Sequence, residues 1–144
     1  LLDIPNVVGI KFTSTDLFKL SQLRRLRPDK IYYFGFDEMY VAAAALGHLG
    51  GIGTTYNVLG KLYVAASDAM KSGDLARAQT LQQLSQDYVS VLIGPGGVPG
   101  VKLTLDILGH DVGPARLPMV LKTDDARAQI AAFLDRPDVG QWLA

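Results

Sequence analysis

The sequence predicts an α/β fold in which three parallel strand–helix units are followed by a purely helical segment. In the first half, short apolar runs rich in β-branched or aromatic residues alternate with amphipathic stretches. This alternation implies right-handed crossovers between parallel strands. After Gly73 the strand pattern stops, and helical periodicity continues through the rest of the 144 residues.

The first strand is predicted at the apolar run from Val7 to Lys11. A continuous apolar run is typical of a strand that is buried on both faces. Lys11 would then end the strand with its stem covered and its amine at the mouth of a site. Partial desolvation disfavours the ammonium form and frees the amine to attack a carbonyl carbon. The alternative is a lysine at a sheet edge that only extends its amine into water.

Two further units follow at short intervals. A capping cluster at 13–16 opens a helix that runs to Arg27 and is stopped by Pro28. The aromatic run at 31–35 is the second strand, and an alanine-rich helix follows at 39–46.

The third strand is very short and lies within the glycine-rich stretch at 50–55. Asn57 is the predicted N-cap of the helix that follows it, and Gly73 ends that helix.

The second half is predicted to be helical. Asp74 caps a long helix to Ile93, whose apolar face includes Leu75, Ala78, Leu81, Leu84 and Tyr88. The segment 94–97 is a hinge, and 98–108 forms another helix. An extended connector at 113–118 leads to a last helix that opens at Asp124 and Asp125. Residues from Pro137 onward are interpreted as a tail.

Composition excludes several classes of protein. The chain has 14 basic and 14 acidic residues, so no broad attraction to nucleic acid or to an anionic membrane is expected. It has no cysteine, which excludes disulfides and cysteine nucleophiles and is compatible with the cytoplasm. No apolar run reaches the ~18 residues of a membrane span. The first residue is Leu1 rather than methionine, which suggests a processed or cleaved chain.

Polar and glycine residues follow each predicted strand. In parallel α/β structures the carboxyl ends of the strands share one face, so an amine, two carboxylates and hydroxyls are expected around one cavity. Asp37 and Glu38 also precede a helix, whose amino end acidic residues stabilise, so one of them can cap while the other faces a ligand. The candidate site residues are Lys11, Thr13, Gly35, Asp37, Glu38, Gly53 and Thr54.

Phosphate and metal sites have weaker support. The glycines at 50–53 lack the Lys-Ser/Thr ending of a P-loop and the spacing of a dinucleotide-binding loop. His48 and His110 lie far apart in the sequence without clustered partners, so we interpret both as loop residues and expect no metal site.

Three motifs carry a family resemblance. The residues at 9–13, 35–38 and 51–57 resemble the sixth, seventh and eighth strand ends of the pyruvate-dependent class I aldolases, which include N-acetylneuraminate lyase and dihydrodipicolinate synthase. The residues at 100–102 and 116–118 are similar to parts of that family's C-terminal helical segment. The resemblance covers essentially the whole chain but only the second half of the family's (β/α)8 barrel.

The resemblance implies a division of the chain. Residues 1–73 would be the C-terminal strand–helix units of the barrel, and residues 74–144 would be a C-terminal helical extension that packs on it. Within the family, the Gly-x-Asp-Glu tip and the Gly-x-Gly-Thr-Thr-Tyr-Asn turn favour the lyase branch over the synthase branch.

The implied activity is the reversible aldol cleavage of sialic acid to N-acetylmannosamine and pyruvate. Lys11 would form the Schiff base, and no metal or organic cofactor would be needed. Thr54 stands where serine is common in the family, so the hydroxyl is kept and a methyl group is added. The family is typically tetrameric, and a homo-oligomer is expected. The remaining candidate residues would bind substrate: Thr13, Gly35, Asp37, Glu38 and Gly53.

Parts of the enzyme are missing from the sequence. A (β/α)8 barrel needs roughly 250 residues, and three strands cannot close one. The family's carboxylate-binding loop and proton-transferring tyrosine have no counterpart here. We therefore expect this chain to need the N-terminal half of the barrel for stability and activity. The alternatives are another pyruvate-dependent aldolase (a 2-keto-3-deoxy sugar acid aldolase or dihydrodipicolinate synthase), a non-catalytic half-barrel that binds a partner, and a small nucleotide-binding domain.

Overall fold

A single parallel sheet lies at one end of the molecule. The computed structural model describes residues 1–47 and 50–143, so His48 lies outside the described residues. The sheet order is β1-β2-β3, and the register places Lys11 opposite Tyr33 and Tyr33 opposite Gly50. The strands are β1 (Gly9–Phe12), β2 (Ile31–Phe34) and β3 (Gly50–Gly51).

The helices follow the predicted order, with one or more after each strand. Helix α2 is preceded by a 3₁₀ turn at Asp37–Met39, and a second 3₁₀ turn at Gly140–Trp142 ends the chain. The helices are α1 (Leu17–Leu26), α2 (Tyr40–Ala44), α3 (Tyr56–Ser72), α4 (Leu75–Ile93), α5 (Val98–Ile107) and α6 (Ala126–Leu134).

Local signals explain most of the helix boundaries. The Asp16 side chain accepts a hydrogen bond from the Lys19 N–H (2.9 Å) and caps α1, and Asp74 caps α4 in the same way through the Arg77 N–H (3.0 Å). Gly73 adopts a φ of 79° and closes α3, as expected of a glycine C-cap.

One helix cap and the C-terminal segment differ from the prediction. Asn57 is not the N-cap of α3, because the helix begins at Tyr56 and Thr55 is its N-cap residue. The side-chain amide of Asn57 donates a hydrogen bond to the Thr54 carbonyl instead (2.8 Å). The expected tail is packed, since Val139 is fully buried against the core.

The sheet is covered on one face only. Along β2, Tyr32 and Phe34 are buried, whereas Ile31 and Tyr33 are 37% and 38% exposed. Lys11 shares the exposed face through its pairing with Tyr33. The expectation of a strand buried on both faces is therefore wrong, because helices of the described chain pack against only one side of the sheet.

The larger core lies between the helices. Helices α3 and α4 pack along each other, and α5 and α6 close the far side. Among the fully buried side chains are Leu59, Leu62, Tyr88 and Ile130. Leu75, expected on the buried face of α4, is 51% exposed because it lies in the first turn, beyond this packing. In the described part of the chain, no helix has the length and apolar content required to cross a bilayer.

Candidate active site

The predicted strand-end residues meet at one cleft. It has a volume of about 230 Å³ and lies at the carboxyl ends of the strands. Six of the seven candidate residues line it: Lys11, Gly35, Asp37, Glu38, Gly53 and Thr54. The seventh, Thr13, lies beside them, with its hydroxyl against the Cα of Gly35.

Gly35 makes room for Lys11 and Thr13. A Cβ on this glycine would stand 1.9 Å from the Thr13 Oγ1 and 2.9 Å from the Lys11 Cε. The side chains of Lys11 and Thr13 therefore pass directly over Gly35, the residue that follows β2, and they can do so because glycine has no side chain. Lys11 is exposed rather than partly desolvated as expected. The reason is that its face of the sheet has no covering layer in the described chain.

Asp37 is the most constrained group of the cleft. It is 5% exposed, and its Oδ2 accepts hydrogen bonds from the Thr55 N–H (2.9 Å) and the Thr55 hydroxyl (2.6 Å). Asp37 thus caps the amino end of α3, while Glu38 is half-buried in the cleft wall. The Asp37 Oδ1 is buried, has no hydrogen-bond partner among the described residues, and lies against Gly53, where a built Cβ would stand 1.4 Å from it. One acid therefore caps a helix and keeps a second oxygen unpaired beside a glycine that lines the cleft.

A chain of buried hydroxyls supports Thr55. The Tyr63 hydroxyl lies 2.6 Å from the Thr55 Oγ1 and 2.7 Å from the Ser85 Oγ. Burial raises the pKa of Tyr63, so its hydroxyl stays protonated at neutral pH. The Thr55 hydroxyl donates its single proton to the Asp37 Oδ2. Tyr63 must then donate to Thr55 and accept from Ser85.

Sequence reasoning misses these supporting residues. The pattern places Thr55 with Thr54 at a strand end, and nothing in it marks Thr55 as the partner of Asp37. Tyr63 and Ser85 lie on two helices whose packing brings their hydroxyls together. The far wall of the cleft is also missed, because it comes from the end of α4 and the loop that follows; it includes Val89, Leu92, Ile93 and Gly97.

No metal centre accompanies the cleft. Across residues 1–47 and 50–143, the structure brings together no three histidine or acidic side chains in a way that would hold a metal ion. The described lining of the cleft offers one primary amine, two carboxylates, threonine hydroxyls and the backbone at two glycines.

Two similar curated relatives are N-acetylneuraminate lyases. The chain is 46% identical over 118 residues to the N-acetylneuraminate lyase of Rhizobium meliloti, and the match covers 82% of this chain and 40% of that protein. It is 35% identical over 136 residues to the N-acetylneuraminate lyase of Lactiplantibacillus plantarum, over 94% of this chain and 47% of that protein. The chain therefore spans less than half the length of either relative.

Solved structures agree on the fold. The N-acetylneuraminate lyase of Mycoplasma synoviae superposes with a TM-score of 0.85 at 32% identity, over 93% of this chain and 46% of that one. The N-acetylneuraminate lyase of Fusobacterium nucleatum complexed with pyruvate superposes with a TM-score of 0.83 at 28% identity, and the match covers 96% of this chain and 45% of that one. A dihydrodipicolinate synthase of Bacillus anthracis superposes with a TM-score of 0.85 at 27% identity, and the match covers 94% of this chain and 47% of that one.

These likenesses confirm the predicted fold class, the C-terminal part of a (β/α)8 barrel followed by a helical segment. The sequence profile of the Dihydrodipicolinate synthetase family matches residues 1–136. Together with the cleft at the strand ends, this match shows that the chain belongs to the dihydrodipicolinate synthetase family.

Proposed function

We propose that this chain forms the Schiff-base half of an N-acetylneuraminate lyase, which cleaves sialic acid reversibly to N-acetylmannosamine and pyruvate. The observation that carries the proposal is the presence of Lys11, Asp37 and Glu38 in one cleft at the strand ends. The names of the relatives and the pyruvate complex of the Fusobacterium nucleatum lyase support this choice of substrate class.

Lys11 supplies the covalent step. Its amine adds to the keto carbon of the substrate, and loss of water gives a protonated imine. The imine accepts the electron pair of the carbon–carbon bond that breaks, while the hydroxyl on the departing carbon gives up its proton and becomes the aldehyde. The residues that accept this proton and bind the keto acid's carboxylate belong to the other half of the barrel. The reaction requires no metal or organic cofactor.

The two acids and the threonines select the aldehyde portion. The Asp37 Oδ1, the Glu38 carboxylate and the Thr54 hydroxyl accept hydrogen bonds from the polyol of the sugar. Thr13 helps to position the substrate, and backbone groups beside Gly35 and Gly53 complete the lining. A polar group left unpaired in such a site costs about 1–3 kcal/mol, which is enough to discriminate between aldehydes.

The chain acts together with the missing strands. In this proposal residues 1–73 are barrel units and residues 74–144 are a helical extension, and the exposed sheet face with Ile31 and Tyr33 is where the N-terminal half packs. We call the chain joined to that half, as one polypeptide or two, the complete barrel. The family resemblance further supports a cytoplasmic homotetramer that binds a keto acid and an amino sugar.

Borohydride reduction in the presence of pyruvate tests this function. The complete barrel should gain a stable pyruvate adduct on the peptide that contains Lys11. Lys11→Ala should remove the adduct, whereas Lys19→Ala on the exposed side of α1 should keep it. A complete barrel that forms no adduct would support a non-catalytic binding half instead.

A second candidate is another aldolase of the family, in particular dihydrodipicolinate synthase. It is favoured by the Bacillus anthracis structure, which superposes as well as the lyase of Mycoplasma synoviae. Product analysis of pyruvate with N-acetylmannosamine, compared with other aldehydes, separates the two. Condensation with N-acetylmannosamine is the result expected for the lyase.

A further inference from the structure

The turn that carries both acids is held by helix α4. The side-chain amide of Gln82 bridges this turn (Asp37–Met39) and the start of α2: its Oε1 accepts from the Val41 N–H (2.7 Å), and its Nε2 donates to the Asp37 carbonyl (3.1 Å). Gln82 is 8% exposed. A buried amide with both ends used in this way fixes the turn relative to the helix.

Two neighbouring side chains of α4 add to this hold. Ser85 lies three residues after Gln82, on the same face of the helix, and its Oγ accepts a hydrogen bond from the Gln82 Nε2 (3.3 Å). Gln86 donates from its Nε2 to the Glu38 carbonyl (2.9 Å). The backbone carbonyls of both acids are therefore bound by the helical segment rather than by the sheet.

One carboxylate oxygen of Asp37, which this turn positions, is free to accept a hydrogen bond from a ligand. The Asp37 Oδ2 is occupied by Thr55, whereas the Oδ1 is buried and has no hydrogen-bond partner within residues 1–47 and 50–143. A buried carboxylate oxygen without a donor is costly. Asp37 is only 5% exposed and is held through its other oxygen, and the Oδ1 lies against Gly53, which lines the cleft together with Asp37. We assign the missing donor to a hydroxyl of a ligand in the cleft.

We propose that Gln82 is a positioning residue that sets the selectivity of the site for hydroxylated aldehydes, by fixing the place at which the Asp37 Oδ1 and Glu38 meet the ligand. The inference rests on the proposed function. Gln82 does not touch the reacting atoms, and the Lys11 amine lies on β1, outside the turn that Gln82 holds. Loss of the amide bridge should therefore affect polyol recognition and spare imine formation.

The test compares Gln82→Met with Gln83→Met in the complete barrel. Methionine has nearly the shape of glutamine without its hydrogen bonds, and Gln83 is the exposed neighbour on the same helix. The kcat and KM values are measured for N-acetylneuraminate and for the pyruvate–acetaldehyde aldol adduct, which has no polyol. Gln82→Met should lower kcat/KM for N-acetylneuraminate at least tenfold, mainly through KM, and should change that of the short adduct less than twofold. Gln83→Met should change neither.

Each outcome decides the inference. An equal loss on both substrates, or no loss on either, would overturn it while the pyruvate adduct at Lys11 still upheld the lyase. No adduct in the unsubstituted barrel would overturn the proposed function, and the inference with it. If Gln82→Met does not fold, Gln82→Asn replaces it as the test variant, because it keeps a buried amide but is one methylene too short to bridge the Val41 N–H and the Asp37 carbonyl. It should shift the ratio of the two substrates twofold or more in the same direction, and an unchanged ratio would overturn the inference.

Discussion

The carboxylate of Asp37 occupies the space that a side chain on Gly53 would need. A Cβ built on this glycine would stand 1.4 Å from the Asp37 Oδ1 and 2.2 Å from its Cγ. The glycine is therefore required by the position of the acid on the neighbouring strand end. The Asp37 Oδ1, which has no hydrogen-bond partner among the described residues, therefore lies against Gly53, two residues after the end of β3.

Gly53→Ala should consequently destabilise the complete barrel. Either the carboxylate leaves Thr55 or the strand end shifts, and overpacking of this kind costs about 1–3 kcal/mol. The change should also raise KM for N-acetylneuraminate. Chemical denaturation measures the first effect. The matched control is Gly60→Ala in α3, where, among the described residues, no heavy atom beyond its chain neighbours and the local helix backbone lies within 4 Å of the added Cβ. It should be neutral or stabilising by up to about 1 kcal/mol, and equal losses for the two variants would contradict the prediction.

Gly35→Ala should act on the lysine rather than on the acids. The added Cβ would lie 2.9 Å from the Lys11 Cε and 1.9 Å from the Thr13 Oγ1, so both side chains must move. We expect the rate of borohydride trapping with pyruvate to fall about tenfold or more, since small misplacements of a reacting group are expensive. Gly140→Ala, which has open space around the new Cβ, is the control and should trap at the normal rate.

The two adjacent threonines should separate stability from recognition. Thr55→Val removes a hydroxyl that donates to Asp37 and leaves the Tyr63 hydroxyl without its acceptor, so the free energy of unfolding should fall by about 1–3 kcal/mol. Thr54 is exposed in the cleft, and Thr54→Val should change the stability by less than about 0.5 kcal/mol. It should nevertheless raise KM for N-acetylneuraminate. Loss of stability in Thr54→Val and not in Thr55→Val would refute this division.

Most of the architecture was predictable because its signals are local. Asp16 and Asp74 cap their helices, and Gly73 ends α3, through contacts within a few residues. The strand-end site was also predictable, since parallel strands direct their carboxyl ends to one edge, and the edge gathers Lys11 and Asp37.

The failures have one physical cause, which is dependence on distant packing. Lys11 is exposed because no element of the described residues covers its face of the sheet, although the apolar pattern of β1 predicts burial on both faces. Asn57 does not cap α3 because Asp37, eighteen residues before Thr55, binds the Thr55 N–H and hydroxyl. Gln82 could not be recognised as a support, since its role depends on how α4 crosses the turn.

The buried tyrosines predict a loss of stability at alkaline pH. Burial raises the pKa of Tyr88 to about 12, and it also raises the pKa values of Tyr56 and Tyr63. An unfolded tyrosine titrates near pH 10. The stability that neutral, buried Tyr88 contributes to the folded state is therefore fully present below about pH 10. It is lost as the pH rises from 10 towards 12. The slope is at most about 1.4 kcal/mol per pH unit for each tyrosine.

Tyr88→Phe isolates one of these groups. The Tyr88 hydroxyl donates to the Thr104 Oγ1 (2.8 Å), and Thr104 keeps its own bond to the Gly100 carbonyl (2.9 Å) after the change. Between pH 10 and 12, the complete barrel with phenylalanine should lose less stability than the unsubstituted protein. The slopes of the free energy of unfolding against pH should differ by at most the value for one proton, about 1.4 kcal/mol per pH unit. Denaturation midpoints at several pH values in this window provide the measurement, and parallel curves would show that Tyr88 does not contribute.

The exposed sheet face predicts the behaviour of the chain without its N-terminal half. Ile31, Tyr33 and Ile52 are 37%, 38% and 46% exposed around a sheet with unpaired edges, and such surfaces favour association. The chain alone should form concentration-dependent aggregates in light scattering. Ile31→Lys should reduce this association and also prevent joining to the N-terminal half, because it buries a charge in the sheet interior. Leu26→Lys, at the 73% exposed end of α1, should alter neither property. A chain that is monomeric, unfolds cooperatively and is catalytic by itself would show that the open face needs no second half.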